Sequence, residues 1–177
     1  MKAVDFADQL AGIIPKHLAR VEGRFSDAHL RRIESSFTLI KQDVISEHGN
    51  ELINLVKNFD ASRLEIGPIH FDLPYTRESS LLRIAYVEAD YLVIDENTDE
   101  VCIEDHERPG RVMLYCALDD EMFLDALFEM AQTNEEYAKN LEGHIVVDWC
   151  KKASVCSELA GGDRYTTFYR MALGCDE

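Results

Sequence analysis

Several groups of residues in this chain have types and spacings that invite chemistry. Asp95-x-Asn97-x-Asp99 sets oxygen donors at alternate positions, as a calcium loop does. A helix–loop–helix calcium site also needs Gly at its sixth position and Glu at its twelfth, where this chain has Glu100 and His106. The flanking residues read as strands, so a polar hairpin turn is the preferred reading. Cys150-x5-Cys156 is the nearest approach to a thiolate metal pair, and residues six apart do not share a helical face. His144, Asp148 and Cys150 resemble a nucleophilic trio. His144 and Asp148 sit one helical turn apart, while Cys150 points elsewhere. Asp148 followed by Lys152 is read as a surface ion pair, His106 as a solvated loop residue, and His70 as packing at a sheet edge. No phosphate-binding glycine motif occurs. The sequence therefore assigns no catalytic residue, metal ligand or cofactor, and the protein is expected not to be an enzyme.

The strongest signal is electrostatic. Between Tyr86 and Glu136 stand sixteen carboxylates and two basic residues, Arg108 and Arg111, which is −14 of the chain's net −16. The rest holds sixteen basic and eighteen acidic residues. Such an excess repels nucleic acid and anionic membrane and favours a cationic partner. The N-terminal residues interrupt any signal-like apolar run with Asp5 and Asp8, and nothing reaches the length of a membrane span. The five cysteines form no regular pattern, so reduced thiols and a cytoplasmic location are expected.

At 177 residues, the chain is long enough for one domain with a real core. Val4, Ala7, Leu10, Ala11 and Ile14 follow helical spacing, with Pro15 ending that stretch. Ser26-Asp27 suits a second helix start. From there Leu30, Ile33, Phe37, Ile40, Val44, Leu52, Leu55 or Val56, and Phe59 keep the same rhythm, divided at Gly49-Asn50. From Leu64 the period changes to two. Leu64–Gly67, Ile69–Leu73 and Leu82–Val87 read as strands, Asp90–Asp95 and Glu100–Asp105 as a β-hairpin, and Arg111–Cys116 as a further strand. Asp119 or Asp120 then caps a helix with an apolar stripe of Met122, Phe123, Ala126, Leu127 and Met130. A second helix is expected across Glu135 to Leu159, stopped by Gly161-Gly162. Residues 165–173 read equally as strand or helix. The expectation is a single α+β domain: N-terminal helices, a central antiparallel sheet with a hairpin at 90–105, and C-terminal helices packed on the sheet.

The strand with an Ile66-Gly67 step, the Tyr91-Leu92-Val93-Ile94-Asp95 strand, the tight turn into Glu100-Val101 and the capped helix Met122-Phe123-Leu124-Asp125-Ala126-Leu127 together resemble the SUKH superfamily. The resemblance spans roughly residues 26–131, with 135–177 a mainly helical extension beyond it. Asp99 stands where that family usually has Gly. The resemblance implies an immunity protein that neutralises a cognate toxin, often a nuclease. The charge is compatible with that, since an acidic protein can occupy a basic groove in place of phosphate.

The leading expectation is thus an acidic cytoplasmic protein-binding module. Asp90, Asp95, Glu96, Asp99, Glu100, Glu104, Asp105 and Glu107 would form one exposed patch for a basic protein, with Tyr91 and Tyr115 as candidate contact residues. An adaptor or chaperone for a secreted protein, relying on an apolar groove, is the alternative. A metal-dependent hydrolase using the acidic cluster is the second alternative.

Overall fold

The computed structural model describes residues 1–13, 31, 37–43, 47–72, 74–139 and 147–175. The expected helix start at Ser26-Asp27, the positions Ile14, Pro15, Leu30, Ile33 and Val44, and His144 lie outside these residues.

Helix α1 (Ala3–Ala11) buries Ala3, Phe6, Ala7 and Leu10; Ala7 and Leu10 belong to the stripe read from sequence, whereas Val4 and Ala11 of that stripe are exposed and the core-facing side is set by Ala3 and Phe6 instead. Helix α2 (Glu51–Asn58) begins at Asn50, whose side chain accepts the Ile53 N–H and caps the helix. Ile40 and Phe59 depart from the expected helical rhythm. Strand β1 (Ile40–Lys41) pairs antiparallel with β2 (Phe59–Asp60), so partner hydrogen bonds override the local period there.

A seven-stranded antiparallel sheet follows. β3 (Glu65–Ile66), β4 (Ile69–His70), β6 (Leu81–Val87), β7 (Asp90–Asp95), β8 (Val101–Glu104) and β9 (Val112–Ala117) lie in that order, and β5 (Thr76–Glu78) pairs with β6. The β7–β8 hairpin is closed by Asp95. Its carbonyl accepts the Thr98 and Asp99 N–H groups, and its carboxylate accepts the N–H and side-chain amide of Asn97. Asp99 has φ 60°, a left-handed turn conformation that short polar residues tolerate.

Helix α3 (Asp120–Lys139) starts where Asp119 accepts the Met122 N–H. The expected helix from Glu135 to Leu159 is two elements instead. Glu135 belongs to α3, and α4 (Trp149–Leu159) starts afresh at Asp148, which accepts the Lys151 N–H as its N-cap. Asp148 is therefore not the ion-pair partner of Lys152, whose ammonium reaches Glu129 at 3.0 Å and Glu136 at 3.2 Å on α3. Gly161, at φ 115°, ends α4; a Cβ there would meet the Leu118 side chain at 2.9 Å, so only glycine fits. Residues 163–172 form a 3₁₀ turn (Asp163–Tyr165) and helix α5 (Thr166–Ala172), which resolves the open reading in favour of helix.

The strands alternate between two environments. Leu82, Ile84, Leu92, Ile94, Val101 and Ile103 join the main core with Phe6, Leu52, Phe123, Leu127, Phe168 and Tyr169 from the helices. Leu81, Val93 and Cys102 form a small separate cluster, with Tyr91 and Val112 packed against it. The molecule is thus an α+β domain with helices on the core face of its sheet. Among the described residues no helix is long and apolar enough to cross a membrane.

Candidate functional site

Strand register assigns the second, outer face. Tyr86 pairs with Tyr91, Tyr91 with Glu104 and Glu104 with Val112; in the next row Arg83 pairs with Val93, Val93 with Cys102 and Cys102 with Tyr115. Directly opposed residues share a face, so Tyr86, Tyr91 and Tyr115 stand together with Arg83 and Glu104. Tyr86 and Tyr91 stack at 5.5 Å between ring centroids.

Arg83 is the centre of this face. Its Nε and Nη2 donate to the two Glu104 oxygens at 2.7 and 3.0 Å, a bidentate fork, and Nη2 also reaches Glu78 at 2.6 Å. Its guanidinium carbon lies 4.3 Å from the Tyr91 ring centroid. Glu104 is fully buried and accepts the Gly110 N–H as well, at 2.7 Å. Burial by itself pushes the Glu104 carboxyl up. The Arg83 and Gly110 hydrogen bonds and the Arg83 charge outweigh it and hold the group below the usual glutamate range.

A second guanidinium reaches the same face from the 3₁₀ turn. Arg164 lies 4.0 Å from the Tyr115 ring centroid and 2.9 Å from Glu100, which also accepts the Tyr165 hydroxyl at 3.1 Å. Burial, then that bond to an anion, pushes the Tyr165 hydroxyl up to about 12. Tyr115 and the neighbouring Met113 and Leu118 remain exposed.

The eight carboxylates expected to form one patch do not come together. Asp90, Glu104, Asp105 and Glu107 lie at one end of the β7–β8 hairpin; Asp95, Glu96, Asp99 and Glu100 lie at the other. The length of β7 separates the ends by roughly 17 Å at the usual rise per residue. Glu100, Glu104 and Asp105 are buried. Several are also matched internally: Glu96 with Arg77, Glu100 with Arg164, Glu104 with Arg83, Asp105 with Arg111 at 3.6 Å. The helix acids are engaged too, Glu121 by Lys2 and Asp125 by the N-terminal ammonium. Asp120 accepts the Glu51 N–H at the start of α2. The acidic segment therefore serves largely as the counter-charge for basic residues from both sides of it. The reason is topological, since strand pairing and helix packing bring distant cations onto it.

Within the acidic segment, the exposed described carboxylates outside any ion pair are Glu88 and Glu107 at one end of the hairpin and Asp99 at the other. Near Glu107, His106 Nδ1 sits 2.8 Å from Asp90 Oδ1, and the same oxygen accepts the His106 N–H at 3.1 Å. That hydrogen bond raises the imidazole pKa. Donor atoms of Asp90, Asp105 and His106 lie within 4.8 Å of one another, the set in this region with metal-ligand types. Hydrogen bonds already occupy them: Asp105 accepts the Glu107 N–H, and Asp90 holds His106.

The five cysteines divide unexpectedly. Cys150 and Cys175 form a disulfide, while Cys102, Cys116 and Cys156 are free and buried. Burial pushes the Cys102 and Cys156 thiols up to about 12 and Cys116 well above the ordinary thiol value. Such thiols are inert at neutral pH. The disulfide overturns the expectation of uniformly reduced thiols, and a separation of 25 residues explains why spacing did not reveal it.

Sequence reasoning singled out Tyr91 and Tyr115 but missed Arg83 and Arg164, which pin them. Arg83 alternates with apolar Leu82 and Ile84, the available sign that it faces away from the core. No protein-family model, curated protein or solved structure matches this chain.

Proposed function

We propose that this protein is an acidic protein-binding module that recognises a basic protein through its outer sheet face. The observation behind this reading is that Tyr91 and Tyr115 share the face of the sheet opposite the main core, each beneath a guanidinium. Tyrosine and arginine are the residue types that dominate binding energy at protein interfaces. Rings already held in place lose little freedom on binding. Glu88, Glu107 and Asp99 rim the face at its two ends and favour a cationic partner, while the net charge of −16 speeds encounter. An immunity role against a basic toxin is the biological form implied by the sequence resemblance to the SUKH superfamily. No covalent chemistry belongs to this reading.

The test is affinity capture with the full chain at low and high salt, comparing wild type with Tyr91→Ala/Tyr115→Ala and with Glu88→Lys/Glu107→Lys. The reading expects a captured basic protein that the tyrosine variant loses and that associates more slowly in the charge variant. Capture that survives both variants, with a salt-independent association rate, would overturn it. An adaptor using an apolar groove elsewhere gives that second pattern.

A further inference from the structure

The disulfide joins two cysteines that are each fixed by the end of their own helix. Cys150 lies in the first turn of α4, an eleven-residue helix capped by Asp148, and is exposed. Cys175 follows Gly174, which turns at φ 68° after α5; its N–H donates to the Arg170 carbonyl at 2.8 Å, and its own carbonyl accepts Arg170 Nε at 3.4 Å. Cys175 is buried, at 3% exposure. The Cα atoms are 5.2 Å apart, inside the usual range for a disulfide. Both capping arrangements are made by backbone and Asp148 groups and not by the sulfurs.

We propose that Cys150 and Cys175 form a reversible thiol–disulfide exchange site, with Cys150 the sulfur that accepts a small thiol such as glutathione and Cys175 the resolving cysteine. Three observations point the same way. Cys150 is exposed while its partner is covered, so an incoming thiolate meets Cys150 first. A helix N-terminus stabilises the thiolate that remains on Cys150 after reduction. The three other thiols are buried with raised pKa values, so they do not compete. An exposed cysteine beside a resolving partner is the arrangement found in redox sensors. The charged groups nearest Cys150 along α4 are the capping carboxylate of Asp148 and the ammonium of Lys151; Lys152 is held by Glu129 and Glu136.

The chemistry balances with two glutathione molecules. The first thiolate attacks Cys150 Sγ, forming a mixed disulfide and releasing Cys175 as a thiolate that takes up a proton. The second attacks the glutathione sulfur of that mixed disulfide, releasing the Cys150 thiolate and one oxidised glutathione. Run backwards, the Cys175 thiolate attacks the mixed disulfide at Cys150 and expels glutathione.

Glutathione and its disulfide are the probes for the test, used on the full folded chain, with intact mass after alkylation and melting temperature as readouts. Wild type is expected to gain one alkylation site, at the exposed Cys150, in reducing glutathione while remaining folded. In oxidised glutathione, Cys175→Ser is expected to take up one glutathione per chain at Cys150, and Cys150→Ser none. Alkylation of Cys150 in Cys175→Ser should reach half its maximal rate below the ordinary thiol value of about 8.5. A disulfide that opens only when the protein unfolds would mark it as purely structural and overturn the proposal. Equal glutathione uptake by the two serine variants, or an alkylation profile centred on the ordinary thiol value, would also overturn it.

Discussion

The core face and the outer face of the sheet are built from the same strands, yet they satisfy burial by different means. On the core face, Leu92, Ile94, Val101 and Ile103 meet Phe123, Leu127 and Phe168, and apolar area removed from water stabilises the contact. On the outer face, the fully buried Glu104 is tolerated because Arg83 and Gly110 satisfy it, and Tyr91 and Val112 pack against the small cluster beneath. The outer face is specified by pairing. Each part of it is expensive to lose singly, whereas the core face loses stability in proportion to volume.

That contrast can be tested by substitutions and by pH, taken in order of decreasing expected effect. The largest effect is expected from Phe123→Ala, which empties a fully buried site beside Phe168 and should cost about 3–5 kcal/mol in denaturant unfolding. On the outer face, Arg83→Met strands the buried Glu104 and should cost about 3 kcal/mol, the low end for a broken buried pair because Arg83 keeps some contact with water. The double variant Arg83→Met/Glu104→Leu should recover most of that loss. If it does not, the face depends on more than charge compensation.

A pH series separates the faces next. The Glu104 carboxyl is depressed in the folded protein relative to an ordinary value of 4.5, so the unfolded chain takes up its proton first as pH falls. Its stabilisation is complete above that ordinary value and disappears as pH drops through the folded one. Asp90 behaves alike: burial pushes it up, but the hydrogen bonds from His106 prevail and lower it. His106 has the opposite sign, its raised pKa giving stability that is present below 6.5 and lost as pH rises through the folded value. Thermal melts from neutral pH downward should show the acid loss in wild type and a shallower one in Arg83→Met/Glu104→Leu. The smallest effects belong to the helix and turn devices. Asn50→Ala should cost about 1 kcal/mol through the lost α2 cap. Glu96→Gln, which removes an exposed pair with Arg77, should change stability by less than about 1 kcal/mol in the same unfolding assay.

Much of the fold was legible where local rules act alone. The period-two runs became β6 to β9, the Asp95–Asp99 stretch became a hairpin turn, Asp119 became a cap, and the break read at Gly49-Asn50 falls where α2 begins. Ile40 was misread because two residues pairing with a distant strand leave no periodic trace. Asp148 was misread because an acid three residues before one lysine and four before another suits both an N-cap and an i,i+4 ion pair; it caps through the Lys151 N–H, and Lys152 turns to Glu129. The candidate site was legible only in its tyrosines. The guanidiniums that hold them arrive from a β-strand and from a turn far along the chain.

Local composition and spacing determined the central strands, the hairpin turn and the start of α3, and that the middle of the chain would be rich in carboxylates. Those properties depend on backbone geometry and side-chain period within a few residues. Only the tertiary structure decided which carboxylates stay free. Glu104 meets Arg83 across 21 residues, Glu100 meets Arg164 across 64, and Glu121 meets Lys2 across 119. A charge finds its counter-charge through sheet register and helix packing, and neither is written in the residues adjacent to it.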